Sequence, residues 1–258
     1  MDLLYHTQLF FSIFFLLLFG YYFIPAGTAY GYFYLYKKSQ PNNRHIQPRY
    51  PTRQSMMREI KWSVLSVLIM SFFVQGLYLL IINGYTRMYF SISDYGWLYF
   101  GLSTVISILA YDTYFYWLHR FMHLKAVFPI LHRTHHLSHT PSPWAILAFD
   151  PLESILEFGI YPILVFLVPL HPVALGLFVA HNIILNTAGH IGFEVVPKSF
   201  FRHPILQFGL TVTHHDMHHS KTNCNYGIYF NFWDRLMKTN HPDYEKTFFR
   251  EETEAPQP

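Results

Sequence analysis

Long apolar segments separated by short polar stretches run along the first two thirds of this 258-residue chain. A helix needs about 20 apolar residues to cross a bilayer, and residues 9–36, 62–82 and 97–118 each reach that length. A fourth apolar region covers residues 155–185, where three prolines interrupt the pattern and disfavour one continuous helix. The pattern predicts three membrane-spanning helices followed by a helical hairpin, which is not required to cross fully.

Positive charges distinguish one side of this predicted bundle. The loop between the first two spans carries seven basic residues: Lys37, Lys38, Arg44, Arg49, Arg53, Arg58 and Lys61. Because basic loops stay in the cytoplasm, we expect this loop, and everything after residue 118, on the cytoplasmic side. A solvated linker would explain the same charges. Residues 1–101 are thus assigned to N-terminal spans and a basic cytosolic loop of a multi-pass protein, in a bacterial inner membrane or the endoplasmic reticulum.

Composition supports a membrane protein and excludes several other classes. Hydrophobic residues make up 52% of the chain and charged residues 13%, about half the charged share of a soluble domain. The single cysteine, Cys224, rules out an intramolecular disulfide and a cysteine-based zinc site. No basic reading helix or RNA-binding motif indicates a nucleic-acid partner. Residues 241–258 are polar and predict a loose solvated tail.

Histidines are concentrated in one part of the sequence. Fourteen of the seventeen lie between His119 and His219. Eight of them form three tracts: His119 and His123; His132, His135 and His136; and His215, His218 and His219. Residues at i, i+3 and i+4 share a helix face, so each tract is expected to aim its imidazoles at one point. Neutral imidazole suits iron, zinc, copper or nickel, and eight are too many for one ion, which predicts two metals.

The tracts also limit the chemistry. They contain no glutamate, so neither the H-E-x-x-H zinc hydrolases nor the carboxylate di-iron bundles with Glu-x-x-His are indicated. What remains is an all-histidine metal site at the cytoplasmic mouth of the predicted bundle, whose substrate would most simply be a lipid that enters from the bilayer. Two alternatives stay open, namely a histidine-rich membrane protein that binds or transports metal and a di-zinc hydrolase on the same scaffold. A transporter would carry histidines along a path inside its spans, whereas these tracts lie at span ends.

Two carboxylates near the tracts are candidates for supporting roles. Asp112 lies two helical turns before His119, within a predicted span, where a charged group is costly and usually has a partner. We expect it to accept a hydrogen bond from a ligand imidazole or to pair with Arg120. Asp216 lies inside the third tract, and the same supporting role is expected there.

Four longer motifs carry a resemblance to a known family. They read DTYFYWLHRFMH, LHRTHHLSHTPSPW, NTAGHIGFEVVP and THHDMHHSKTNCNYGIYFNFWDRLMKT. Over residues 102–240 the chain resembles the fatty acid hydroxylase / sterol desaturase superfamily of integral-membrane di-iron oxygenases. The resemblance implies an all-α, polytopic membrane helical bundle with a cytosolic histidine-rich cap that holds a dinuclear metal site. It also implies O2 as oxidant and an external electron donor.

The resemblance transfers a set of metal ligands to this sequence. They are His119, His123, His132, His135, His136, His190, His215, His218 and His219. Asn186 stands where some relatives have histidine, so a water-mediated or supporting role is expected for it. His181 shares the predicted helix of Asn186. His214 is left over when the repeated H-x-x-H-H spacing is aligned, although it lies i, i+4 from His218. No catalytic side chain beyond the metal centre is indicated.

The implied reaction is hydroxylation or desaturation of a C–H bond in a lipid, such as a fatty acyl chain, sterol or sphingoid lipid. Hydroxylation is slightly favoured because it is widespread in the superfamily. Two iron ions are the expected cofactors, and zinc could occupy a purified sample. The chain shows no flavin, nicotinamide, iron–sulfur or haem-binding motif, so a cytochrome b5-type protein, ferredoxin or reductase is expected to supply electrons.

Overall fold

The computed structural model describes residues 3–40 and 44–250, and these are mostly helical. The α-helices are α1 Leu3–Leu16, α2 Ile24–Tyr30, α3 Arg53–Ile82, α4 Gly96–Met122, α5 Phe128–Leu131, α6 Arg133–His136, α7 Pro151–Phe158, α8 Ile160–Leu167, α9 Pro172–Gly189, α10 Val212–Lys221, α11 Phe232–Leu236 and α12 Tyr244–Phe249. Within the described residues no β-strand forms. The all-α class expected from the sequence is confirmed.

The first apolar segment is helical throughout. Two π-helical stretches, Leu17–Phe23 and Gly31–Tyr36, join α1 to α2 and extend α2 towards a short 3₁₀ turn. Pro25 lies in the first turn of α2, where a missing backbone N–H is tolerated. Proline therefore leaves the helical run Leu3–Ser39 unbroken.

Three helical segments are long and apolar enough to cross a membrane: Leu3–Ser39, Arg53–Ile82 and Pro172–Gly189. The first two correspond to predicted spans. The third is α9, which the sequence pattern placed in a hairpin that need not cross. The expected third span is α4, which is 27 residues long but is not among the three, because serines, tyrosines and Asp112 interrupt its apolar residues.

The helices pack against one another around two apolar cores. Helix α3 packs on α1 and α7, α4 packs on α9, and α10 packs on α9 and α12. One apolar core lies between the Leu17–Phe23 stretch, α3 and the chain around Ile146. A second joins α4, α8 and α9 to the chain around Tyr229. The clustered histidines lie on or beside α4, α6, α9 and α10.

The polar tail and the basic loop both pack against the rest of the protein. Tyr244 and Phe248 of α12 are 3% and 2% exposed, and the Tyr244 hydroxyl bonds the Thr211 hydroxyl over 3.0 Å. The expectation of a loose tail was therefore wrong for residues 241–250, while residues 251–258 lie outside the described residues. In the basic loop, the Ile46 N–H donates to the Gly192 carbonyl over 3.1 Å. Residues 41–43 of that loop also lie outside the described part.

Candidate metal centre

Four helix ends supply the histidines of the centre. His119 lies in the last turn of α4 and His123 follows that helix as its C-cap. His132 precedes α6, and His190 ends α9. Helix α10 carries the third tract, and its N-cap is Thr211, whose hydroxyl accepts from the His214 N–H over 3.2 Å. The candidate ligands therefore come from four separate helices, α4, α6, α9 and α10, or from the residues that flank them.

The structure brings all nine predicted ligands together in two groups. The five-histidine cluster contains His119, His123, His132, His136 and His218, and the four-histidine cluster contains His135, His190, His215 and His219. In each group the candidate ligand atoms lie within 4.8 Å of one another. Eight of the nine are buried, and only His123 is partly accessible.

Each H-x-x-H-H tract divides between the two clusters. His132 and His136 join the five-histidine cluster, while His135 joins the other. On α10 the division is reversed, because His218 joins the five-histidine cluster and the other two imidazoles join the four-histidine cluster. The expectation that each tract aims at one point was therefore wrong. Each of the two tracts therefore supplies imidazoles to both clusters.

Distances between ring nitrogens fit metal ions in both clusters. The Nε2 atoms of His119 and His132 are 3.0 Å apart, and those of His136 and His218 are 2.9 Å apart. In the second cluster, His215 Nε2 lies 3.2 Å from the Nε2 atoms of His190 and His219. Ligand nitrogens ~2.1 Å from one metal lie about 3.0–3.4 Å apart in octahedral or tetrahedral geometry. The observed spacings are close to this range.

Buried nitrogens without partners give a second indication of fit. Both ring nitrogens of His123 are buried and have no hydrogen-bond partner within the described part of the chain, although a buried polar atom is normally satisfied. Burial, reinforced by the neighbouring imidazoles, lowers the pKa of six histidines outside the spans well below the usual value: His132, His135, His136, His215, His218 and His219. Neutral imidazoles are the form that binds a metal.

Backbone carbonyls set the tautomers of three ligands. His119 Nδ1 lies 2.8 Å from the Tyr226 carbonyl oxygen, and His218 Nδ1 lies 2.7 Å from that of Cys224. His190 Nδ1 lies 2.8 Å from the Asn186 carbonyl oxygen. A carbonyl only accepts hydrogen bonds, so Nδ1 carries the proton in each ring. The Nε2 lone pair is then free to face the cluster, as metal ligation requires.

A buried glutamate that the sequence did not indicate supports a fourth ligand. Glu153 Oε1 lies 2.5 Å from His132 Nδ1, and the side chain is fully buried. Its other oxygen accepts from the Asp150 N–H over 3.3 Å and so caps α7. Burial and the nearby Glu157 raise the pKa of Glu153 well above its usual value. A cation bound at His132 would favour the ionised carboxylate.

The two predicted supporting carboxylates have other partners. Asp112 Oδ1 accepts from the backbone N–H groups of Tyr229 and Phe230 over 3.0 and 3.1 Å. The expectation that it bonds a ligand imidazole or Arg120 was wrong, because those amides occupy it. Asp216 Oδ1 accepts from Gln47 Nε2 over 2.9 Å, which ties α10 to the basic loop. Burial raises the pKa of Asp216 to about 7.

The remaining predicted residues lie outside both histidine clusters. His214 Nε2 faces Asn240 Oδ1 at 3.1 Å, and Asp234 Oδ2 lies 3.5 Å away. His181 packs its ring edge against Tyr229, with centroids 4.5 Å apart. The Asn186 side chain donates to the Ile146 carbonyl over 3.0 Å. Asn186 thus supports the centre through its own carbonyl, described above, rather than through its amide.

A small cavity of about 30 Å³ adjoins both clusters. Five histidines contribute to its lining: His119, His132, His135, His190 and His215. Its other walls are largely apolar and aromatic, with Glu153, Glu157, Asn182 and Asn186 as polar exceptions. A space of this volume holds about one water molecule. It gives a small reactant access to the ligand nitrogens of both groups.

Comparisons with known proteins agree with this geometry. Lathosterol oxidase of Rattus norvegicus is 34% identical over 187 residues, which are 71% of this chain and 60% of that protein. Lathosterol oxidase of Homo sapiens is 35% identical over 190 residues, with the same coverages of 71% and 60%. A Delta(7)-sterol 5(6)-desaturase of Gibberella zeae is 28% identical over 217 residues, covering 82% of this chain and 63% of the relative.

The chain spans about three fifths of the length of these curated relatives. No solved structure shows a significant match to it. The family model described as fatty acid hydroxylase matches residues 104–239, which is more than half of the chain and includes every histidine of both clusters. With its helical fold and its two histidine clusters, this chain belongs to the fatty acid hydroxylase family, as the sequence motifs indicated.

Proposed function

We propose that this protein is a membrane-bound, non-haem di-iron oxygenase that acts on a C–H bond of a sterol. The observation that carries the proposal is the convergence of nine imidazoles into two adjacent clusters, with His190 at the end of α9, one of the candidate membrane spans. The lathosterol oxidase and Delta(7)-sterol 5(6)-desaturase names of the relatives support a sterol substrate. They also favour desaturation over the hydroxylation that the sequence slightly preferred.

In this proposal the nine histidines hold two iron ions, which supply dioxygen activation when bound. Desaturation combines a CH–CH unit, one O2, two electrons and two protons to give a C=C bond and two water molecules. Hydroxylation of a C–H bond with the same inputs gives an alcohol and one water. Either balance needs an external electron donor, and a cytochrome b5-type protein, ferredoxin or reductase fits that need.

The protein's own residues orient the ligands and exclude water. Glu153 and the carbonyls of Tyr226, Cys224 and Asn186 hold four imidazoles with Nε2 towards the clusters. Aromatic side chains line the adjoining cavity and limit its water content. We further propose that the endoplasmic reticulum is the membrane, with the histidine clusters on the cytoplasmic face. The sterol names of the relatives and the basic loop support this assignment.

The histidine distribution disfavours the metal-transport alternative. Transport would require ligands spaced along a path through the bilayer, whereas both clusters lie together at the ends of helices. A di-zinc hydrolase would use the same ligands, and its activity would not consume O2. Oxygen uptake that depends on added iron therefore separates the oxygenase from the hydrolase.

The deciding experiment combines metal analysis with sterol mass spectrometry. Purified protein loaded with iron and supplied with a chemical reductant should consume O2 in the presence of a Delta(7)-sterol. Its product should be two mass units lighter for desaturation, or sixteen heavier for hydroxylation. His218→Ala should abolish both signals, because it removes a ligand from the five-histidine cluster. Binding of less than one iron per chain, with no O2 uptake with sterols or other lipids, would refute the proposal.

A further inference from the structure

An apolar groove of about 540 Å³ lies among the membrane-spanning helices, away from the histidines. Helix α3 forms one side of it. The other side is formed by the π-helical stretch Leu17–Phe23 together with α7, α8 and α9. Leu17, Met70, Leu77, Leu175 and Val179 are typical of its lining, which is almost entirely carbon. Single small-molecule ligands occupy pockets of about 300–1,000 Å³, so the groove has the capacity for one compact lipid.

Three side chains line both this groove and the small cavity beside the metal clusters. They are Tyr21, Phe158 and Tyr161. Tyr21 and Phe158 are each 4% exposed, and Tyr161 is partly buried. A molecule lying in the groove is therefore separated from the histidine cavity by one layer of aromatic rings.

Hydrogen bonds hold that wall in position. The Tyr21 hydroxyl donates to Asn182 Oδ1 over 2.6 Å, and Asn182 Nδ2 donates to the Tyr229 hydroxyl over 2.7 Å. The backbone N–H of Tyr229 is held in turn by Asp112, as described above. Tyr21 can therefore move aside only by giving up a defined polar contact. Among the described residues, only those of this wall line both spaces.

We infer that the groove binds the apolar body of the lipid substrate, a single sterol-sized molecule, and presents it to the metal centre across the Tyr21 wall. This inference rests on the proposed function for the reaction, but the binding itself does not require metal or turnover. The wall that it shares with the histidine cavity distinguishes this groove from an ordinary lipid-facing surface. Its nearly complete lack of polar lining fits a hydrocarbon ring system rather than a charged headgroup.

A glycine in α3 provides a test that does not disturb the fold. Gly76 lines the groove, and a side chain built there meets no atom within 4 Å at its Cβ. Gly76→Trp should therefore fill the groove, and replacing glycine inside a helix favours the helical conformation. Gly101→Trp on α4 is the matched control, because Gly101 also has open space around its Cβ and does not line the groove.

Binding is measured on metal-free protein in phosphatidylcholine nanodiscs with a diazirine-labelled sterol, followed by peptide mapping. The wild type should be labelled on α3 and α9, and unlabelled sterol should compete. In Gly76→Trp the indole should occupy the ligand's place and reduce this labelling about tenfold or more. The labelling of Gly101→Trp should equal that of the wild type. Equal labelling of Gly76→Trp and wild type would overturn the inference. So would labelling by a diazirine fatty acid but not by the sterol, or cross-links between α3 helices of two copies.

A turnover measurement separates this inference from the proposed function. In active protein, Gly76→Trp should raise KM for the sterol with little change in kcat, since uniform binding is lost. An unchanged KM would count against the groove as the substrate site. If sterol labelling follows the expected pattern but the wild type shows no O2 uptake, the groove stands and the oxygenase proposal fails.

Discussion

Glu153→Gln tests whether the buried carboxylate beside His132 tunes the metal site. Glu153 makes two contacts, one to His132 Nδ1 at 2.5 Å and one to the Asp150 N–H at 3.3 Å. Both partners donate when His132 binds a metal through Nε2. A glutamine has a single acceptor oxygen, so it must lose one of the two contacts. Either the helix cap is lost or His132 faces an amide donor that disfavours the metal-binding tautomer.

The expected loss follows from how such partners behave in metal sites. Removing the hydrogen-bond acceptor of a ligand imidazole typically weakens metal binding ~10–100-fold, which is about 1.4–2.8 kcal/mol. His132 belongs to the five-histidine cluster, so one of two metals should be affected. Cobalt(II) titration followed by visible absorption should show two binding phases in the wild type and one weakened phase in Glu153→Gln.

Glu157→Gln is the matched control for this experiment. Glu157 lies one helical turn further along α7 and is also buried, at 4% exposed. Among the described residues its side chain has no recorded hydrogen bond to a histidine. This variant should keep both cobalt phases at wild-type affinity. If Glu153→Gln also keeps both phases, or if the two variants weaken binding equally, the carboxylate does not tune the metal site.

Three further experiments test other features. His215→Ala should lose metal from the four-histidine cluster, whereas His214→Ala should keep wild-type metal content by mass spectrometry, because His214 faces Asn240. Asp112→Ala should lower stability by ~1–3 kcal/mol for each of the two amides it leaves unpaired; Asp112→Asn should retain most of that stability in thermal melts, and equal losses would contradict this. Phe248→Ala should cost ~3–5 kcal/mol if α12 is a packed element, and an unchanged melting temperature would contradict the packing.

Local spacing predicted which histidines would meet, but not how they would be shared. The i, i+3, i+4 rule places His215, His218 and His219 on one helix face, and that much agrees with α10. Two clusters lie beside this face of α10, and the position of the helix between the two clusters decides which histidine joins which cluster. That placement depends on packing against α9 and α12, which the tract itself does not encode.

Long-range contacts account for the other differences. Glu153 could be recognised from the sequence as part of a capping box opening α7, yet its bond to His132 spans 21 positions and two helices. Asp112 was placed by helical periodicity, but its partners are amides 117 and 118 residues away. The tail did carry a signal, because Tyr244 and Phe248 are four residues apart and form an apolar stripe on α12.

The residues after the third tract, from Cys224 to Gly227, help to orient the ligand imidazoles. Cys224 and Tyr226 present their carbonyls to one imidazole each, and Asn225 between them adopts a φ of 57°, a left-handed conformation that asparagine tolerates. Its side chain donates to the His214 carbonyl over 3.0 Å and accepts from the His241 N–H over 2.7 Å. His214 therefore contributes to the centre through its backbone rather than its ring.

Gly227 completes this arrangement. A Cβ at that position would lie 2.5 Å from the Phe230 carbonyl oxygen, so any larger residue would displace the loop. The Gly227 N–H donates to Asp234 Oδ2 over 2.7 Å, and the Tyr226 N–H donates to the other oxygen over 2.9 Å. Because the Tyr226 carbonyl fixes the His119 tautomer, displacement of this loop would reach the five-histidine cluster through one peptide unit. The motif acts on the metal centre by positioning a carbonyl, with no side chain of its own among the clustered ligands.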